Sequence, residues 1–294
     1  ILFFFIYRAL MRRSDKLTAG SRSTQGGLSL PLTRCGSVGW LALTGSGLFF
    51  VLTLLQYGCV LLSGFLKSKK GVYSFTLDHW NELWSIGASP VVRSVVYALI
   101  VAVVGTLFAA LFAYYMDRRR VPGRAFFDCI ATMPYMLPGT CFGIGYILAF
   151  NHAPLKLTGT AIIVLANMLF KQLPTSAKIC SATLAQLQPA QERSAQDLGA
   201  GRLAVILDVV LPNMRPALLS CFVYNFTSSM TTAGAIIFLI DPSRQLAVFR
   251  LFDAVYRGDY ALASVLASVI TAIVLAVEGL VWLLSRKEGK RRVS

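Results

Sequence analysis

Asp78, His79 and Glu82 bring two carboxylates and an imidazole within a few positions of one another, a donor set able to hold a metal ion. Their neighbours support a simpler reading. Thr76 suits a helix N-cap, and Leu77, Trp80, Leu83 and Trp84 form an amphipathic stripe whose indoles suit a membrane interface, so the polar trio is its wet face. His152 is a lone loop histidine. Asp128 and Glu278 lie near the ends of apolar runs, where a carboxylate reaches water or a basic neighbour, and neither requires a proton relay. The cysteines at 35, 59, 129, 141, 180 and 221 have no paired spacing and no His cluster, so buried thiols are expected rather than disulfides or a zinc site. There is no GxxxxGK[ST] phosphate loop and no convincing pairing of nucleophile and base, which argues against a nucleotide site or an intramembrane enzyme in this chain.

Two other constellations sit inside apolar segments. Tyr224, Asn225, Ser228, Ser229, Thr231 and Thr232 cluster in one run, and spacings of three and four align Asn225, Ser229 and Thr232 on one helical face. In lipid such a stripe must face protein or water, either as contacts between helices or as a hydrated path offering transient hydrogen bonds. The run at 126–151 contains Pro134, Pro138, Gly139, Gly143 and Gly145, which remove backbone hydrogen bonds and side-chain bulk. A bending helix beside a pathway and a closely packed helix both fit. Candidate pathway residues are therefore Pro138, Gly139, Gly143, Tyr224, Asn225, Ser228, Ser229 and Thr232.

The elements that must position these residues follow from composition. Of 294 residues 56% are hydrophobic and only 14% charged, with a mean hydropathy of +0.65, which excludes an ordinary soluble enzyme. A bilayer-spanning helix takes about 20 apolar residues. Six stretches qualify, at 38–66, 91–116, 126–151, 159–180, 213–240 and 261–284, so an all-α polytopic membrane protein with six transmembrane helices is expected. The net charge of +15 would point to nucleic acid in a soluble protein, but here it marks topology. Twenty Lys and Arg fall in the segments on one side of these spans and seven on the other, which places both ends of the six-span domain in the cytoplasm.

The expected organisation is 1–7 as the tail of a preceding span, 8–37 as a Ser/Gly/Thr-rich cytoplasmic linker, 38–284 as the membrane domain and 285–294 as a basic cytoplasmic tail. Ile1–Tyr7 is apolar, too short to span, and lacks an initiator Met, so it reads as the end of an earlier helix.

Between the fourth and fifth spans, 188–212 reads QPAQERSAQDLGAGRLAVILDVVLP, which predicts helix, turn, helix. Pro189 suits the first helical position, Glu192 favours the positive end of the helix dipole, and Gly199 and Gly201 stop the first helix. Leu203, Ile206 and Val210 recur at helical spacing, and Pro212 opens the return span. This loop resembles the EAA loop of ABC importer permeases, with Arg193, Ser194 and Ala195 at the EAA positions, Gly199 at the glycine, Val209 at the Ile position, and Leu211 and Pro212 closing the motif. Arg193 departs from the usual Glu, although Glu192 is adjacent.

The resemblance implies a type I ABC importer permease fold whose cytoplasmic coupling helix docks on an ATPase. It implies that coupling role for Glu192, Arg193, Ser194, Ala195, Asp197, Leu198, Gly199, Leu211 and Pro212. It further implies partners: an ABC ATPase dimer holding the ATP and Mg, an extracytoplasmic substrate-binding protein, a second permease half, and the bacterial inner membrane; no cofactor resides in this chain. The segments MPYMLPGTCFGIGYILAFN, NMLFKQLPTSAKI, NFTSSMTTAGAIIFLIDP and RGDYALAS together look most like ferric-iron importer permeases, in which two halves are often fused; YRALMRRSDK resembles the junction between halves. Polyamine, thiamine, phosphonate and sulfate permeases share much of the pattern. An ion-coupled secondary transporter is the competing class, and it would be expected to show central intramembrane carboxylates or discontinuous helices with a selectivity element, whereas the span carboxylates here lie near helix ends.

Overall fold

The computed structural model describes residues 37–69, 72–86, 88–119, 121–152, 156–241 and 244–291, and divides into two units, 1–57 and 58–294. The segments 1–36 and 292–294, and with them the expected preceding span, most of the linker and Cys35, lie outside the described residues. Helix α1, Ser37–Ser63, carries no charge along its 27 residues. Its Thr44 and Thr53 hydroxyls donate back to the Trp40 and Phe49 carbonyls at 3.0 and 2.8 Å, which satisfies them within an apolar helix.

A short antiparallel hairpin follows, β1 (Leu66–Lys69) with β2 (Val72–Phe75), Leu66 opposite Phe75. This is a small departure from the all-helical expectation. Phe65 stacks against Phe75 and Trp80, with ring centroids 5.7 and 5.2 Å apart. Helix α2, Asp78–Ile86, begins as expected, with Thr76 Oγ1 accepting the Asp78 N–H at 3.1 Å. Among the described residues no group of His, Cys, Asp and Glu is arranged to hold a metal.

Helix α3, Ser89–Arg118, buries Ala98, Ala102, Gly105, Ala109, Ala110 and Ala113, small residues that let neighbouring backbones approach. Onto it pack α6, Ala161–Leu184, and α9, Arg215–Thr231. Lys171 and Lys178, two of the twenty basic residues assigned to the cytoplasmic side, lie within α6, which runs four residues past the expected boundary.

Two expected spans are broken. The run at 126–151 is split into α4, Arg124–Met136, and α5, Gly139–Phe150, bent by 115°. Pro138 causes the break: it lacks an N–H and pushes the preceding residue out of the helical region, and Leu137 is extended at φ −88°, ψ 139°. The run at 213–240 is likewise not one helix. Helix α8, Arg202–Asn213, contains a π-helical stretch Val205–Val210 and meets α9 at 77° around Met214; α9 then ends at Thr231, and the chain turns back through a 3₁₀ turn, Ile236–Phe238. Helices α10, Ala247–Tyr256, and α11, Tyr260–Arg291, complete the chain, and Gly258 at φ +80° makes the turn between them.

Among the described residues three helices are long and apolar enough to cross a bilayer, or five if each bent pair counts as one span. The expected fourth span, α6, has the length at 24 residues but carries Asn167, Lys171, Gln172, Ser176 and Lys178. Cys180 and Cys221 are buried, with sulfurs 3.6 Å apart, whereas Cys59 and Cys141 are exposed, so the expected burial of thiols holds for only part of the set.

The two breaks close on each other. A Cβ built on Gly143 would lie 2.4 Å from the Ala235 carbonyl oxygen, and one on Gly139 would lie 3.2 Å from the Ala235 nitrogen. Gly145 faces open space. Gly143→Val is therefore expected to lower the thermal unfolding midpoint of the detergent-solubilised protein by several degrees, while Gly145→Ala leaves it nearly unchanged. Equal midpoints for the two variants would contradict this packing.

Candidate coupling loop and the polar helix interfaces

Helix α7, Pro189–Asp197, starts with Pro189 in its first turn and Gln188 extended before it. It ends in a full Schellman closure. Gly199 adopts φ +87°, its N–H bonds the Gln196 carbonyl at 2.9 Å, and the Ala200 N–H bonds the Ala195 carbonyl at 3.0 Å. Gly199 is thus required by backbone conformation, since a Cβ there would meet no neighbour but would strain the left-handed turn.

Glu192 is the anchor of this helix. Arg118, at the end of α3, places Nε 2.9 Å from Glu192 Oε1, and Tyr114 donates to Oε2 at 3.2 Å. The same guanidinium donates to the carbonyls of Leu184 and Leu187 at 2.8 and 2.7 Å, capping the C-terminus of α6. One partly buried cation therefore joins α3, α6 and α7. Beneath it, Tyr114, Cys180, Leu184, Val205, Ile206, Val210, Met214 and Cys221 form a continuous apolar cluster.

The motif residues divide by direction. Arg193, Ser194 and Asp197 are exposed, Ala195 packs on the cluster, and Leu211 and Pro212 are half-buried at the bend. The acid that matters structurally is Glu192, one position before Arg193. Leu198 is 89% exposed and Leu203 73% exposed, two large apolar side chains flanking the Gly199–Gly201 turn. The expected stripe of Leu203, Ile206 and Val210 is thereby corrected: Ile206 and Val210 are buried, but the wider π-helical turn rotates them away from the face of Leu203.

The polar run of α9 also divides. Asn225, Ser229 and Thr232 are buried. Ser176 donates to Asn225 Oδ1 at 2.7 Å, and Asn225 Nδ2 donates to Thr106 at 3.3 Å. The Gln172 amide, turned with its oxygen toward Ser229, accepts from the Ser229 hydroxyl at 2.9 Å and donates to Asn225 Oδ1 at 3.3 Å. Asn225 and Ser229 thus join α3, α6 and α9 through satisfied hydrogen bonds. Tyr224 and Ser228 face the other way, into a groove beside α11. Pro138 is exposed at its helix break, and Gly139 and Gly143 face the 234–235 turn.

Sequence reasoning overlooked Arg118, Tyr114, Gln172 and Ser176. Arg118 read as one of several orientation charges, and its partner is 74 positions away along the chain, with no local spacing to reveal it. Gln172 and Ser176 did offer a signal: they are polar residues four apart, and so on one face, within an expected span.

Glu192→Ala leaves the partly buried Arg118 without its carboxylate, so amide exchange across 189–198 is expected to accelerate at least tenfold, whereas Arg193→Ala leaves it unchanged. Equal exchange in both variants would remove the anchoring role. Asn225→Leu combined with Ser229→Leu strands the amide of Gln172 and the hydroxyl of Ser176. The double variant is expected to lose about 3 kcal/mol or more of stability and to yield less folded protein on size-exclusion chromatography.

Residues 102–288 match the family model described as binding-protein-dependent transport system inner membrane component. The ferric transport system permease protein FbpB of Actinobacillus pleuropneumoniae is 30% identical over 79% of this chain, and the putative ferric permease FbpB 1 of Haemophilus influenzae 32% over 70%. The chain spans about a third of the length of each, 34% and 33%. The sulfate permease CysT of Salmonella typhimurium is 29% identical, over 82% of this chain and 93% of its own length. Among solved structures, a bacterial ABC transporter involved in import of the acidic polysaccharide alginate shares the fold, with a TM-score of 0.67 and 17% identity over 84% of this chain and 94% of its own. With the family model covering well over half its length, the chain belongs to the binding-protein-dependent transport system inner membrane components.

Proposed function

We propose that this chain is the membrane-spanning half of an ATP-driven importer that carries ferric iron from an extracytoplasmic binding protein to the cytoplasm. The observation that carries the reading is the α7 turn: a clamped helix presenting Leu198 beside Gly199 and Leu203, an apolar knob on a rigid mount. A separate ATPase dimer holds ATP and Mg and receives this knob, since the chain has no phosphate loop of its own. Closure of the ATPase pushes α7. Arg118 passes the displacement to α3 and α6, and the bend at Met214 passes it to α9. A second permease half completes the pathway, and the balance of basic residues supports cytoplasmic ends for the six-span domain.

The ferric assignment draws on the two ferric relatives. Sulfate is a second reading, because CysT matches along nearly its full length. Uptake into proteoliposomes containing the assembled transporter separates them: labelled ferric iron is expected to accumulate with ATP, and labelled sulfate is not. The reverse result would replace the substrate. For coupling, Leu198→Asp is expected to cut capture of the purified ATPase at least tenfold, and undiminished capture would sink the docking role.

A further inference from the structure

Ser220, Tyr224, Thr227 and Ser228 repeat at helical spacing along α9, on the face opposite Asn225 and Ser229. Across from them α11 presents Glu278 and Ser285, and the two helices flank a groove of about 1090 Å³. Its remaining lining is mostly apolar, including Leu219, Val223 and Leu275, and apart from the Trp282 indole N–H its polar side-chain atoms are oxygens. Glu278 lies within the apolar stretch Tyr260–Ser285. Among the described residues its hydrogen-bond partner is Thr227, whose hydroxyl donates to Oε1 at 3.4 Å, and no basic side chain pairs with it. A carboxylate in a membrane helix is costly unless something positive or hydrated meets it. Among the described residues no such cation stands beside Glu278, and the groove leaves space for one.

We infer that Glu278, with Tyr224, Thr227 and Ser228, forms a transit site for a hard trivalent cation, an inference that rests on the ferric reading above. Hard cations select carboxylate, hydroxyl and water oxygen over nitrogen and sulfur, and this groove offers that set. One anionic oxygen donor among neutral hydroxyls gives an ion enough attraction to enter and too little to stay, as conduction requires. Water in the groove completes the coordination shell.

Terbium(III), a hard trivalent ion whose emission is sensitised by a nearby tyrosine, probes the site directly, with Tyr224 as the antenna. Titrating the purified, assembled transporter with terbium is expected to give saturable sensitised emission that falls at least fivefold in Glu278→Gln and is largely restored in Glu278→Asp. If Glu278→Gln fails to assemble on size-exclusion chromatography, the double variant Thr227→Val, Ser228→Ala serves instead, with terbium affinity expected to fall at least threefold. Emission and affinity unchanged in the variants would overturn the site. Terbium binding that depends on Glu278 in a transporter that moves no ferric iron would keep the cation site and overturn the ferric reading. Ferric uptake by Glu278→Gln equal to wild type would overturn the transit role while leaving the ferric reading standing.

Discussion

In hydrocarbon there is no water to satisfy a freed peptide group, so backbone may leave the helix only where protein covers it. That constraint organises this structure. The chain breaks after α4 and again after α9, and each break exposes groups that lipid cannot accept. Placing α5 against the turn at 234–235 packs the two broken regions on each other and buries Ala235, although Leu137 and Pro138 stay exposed, and it requires residues without side chains at 139 and 143. The helices around the breaks are conventional; α3 is a 30-residue rod whose face of small residues lets α6 and α9 come close.

The polar chemistry obeys the same rule at two scales. Within the bundle, Gln172, Ser176, Asn225, Ser229 and Thr106 satisfy one another, so a stripe costly in lipid becomes a specific register between three helices. At the end of α3, Arg118 meets two carbonyls and one carboxylate. A lysine there would supply charge without the planar fork that reaches several acceptors together. The clamp leaves α7 rigid, while the apolar residues at its tip stay outside the core.

Much of this was legible in the sequence, for identifiable reasons. Apolar run length located the helices, and Pro189, Glu192 and Gly199 marked the ends of α7 through local rules of capping and dipole. Thr76 capped α2 as its position required. What escaped depended on distance or on curvature. Hydropathy averages over a window, so it joined 126–151 into one span although Pro138 divides it, and joined 213–240 although the helix stops at Thr231. Periodicity placed Leu203 with Ile206 and Val210 because it assumes an α-helical pitch that the π-helical turn does not keep. The hairpin at 66–75 is too short to show an alternation. Burial of Asn225 and only partial burial of Tyr224, adjacent in sequence, follow from which neighbours arrive on each side of α9.

The contact between Gly143 and Ala235 has a mechanical meaning beyond stability. With no side chain left to remove, the two backbones already stand at their limit of approach. Such a contact resists compression steeply but yields to separation, because repulsion rises far faster than attraction falls. It acts as a bump stop: whatever force enters this region can draw α5 and the 234–235 turn apart, but cannot drive them further together.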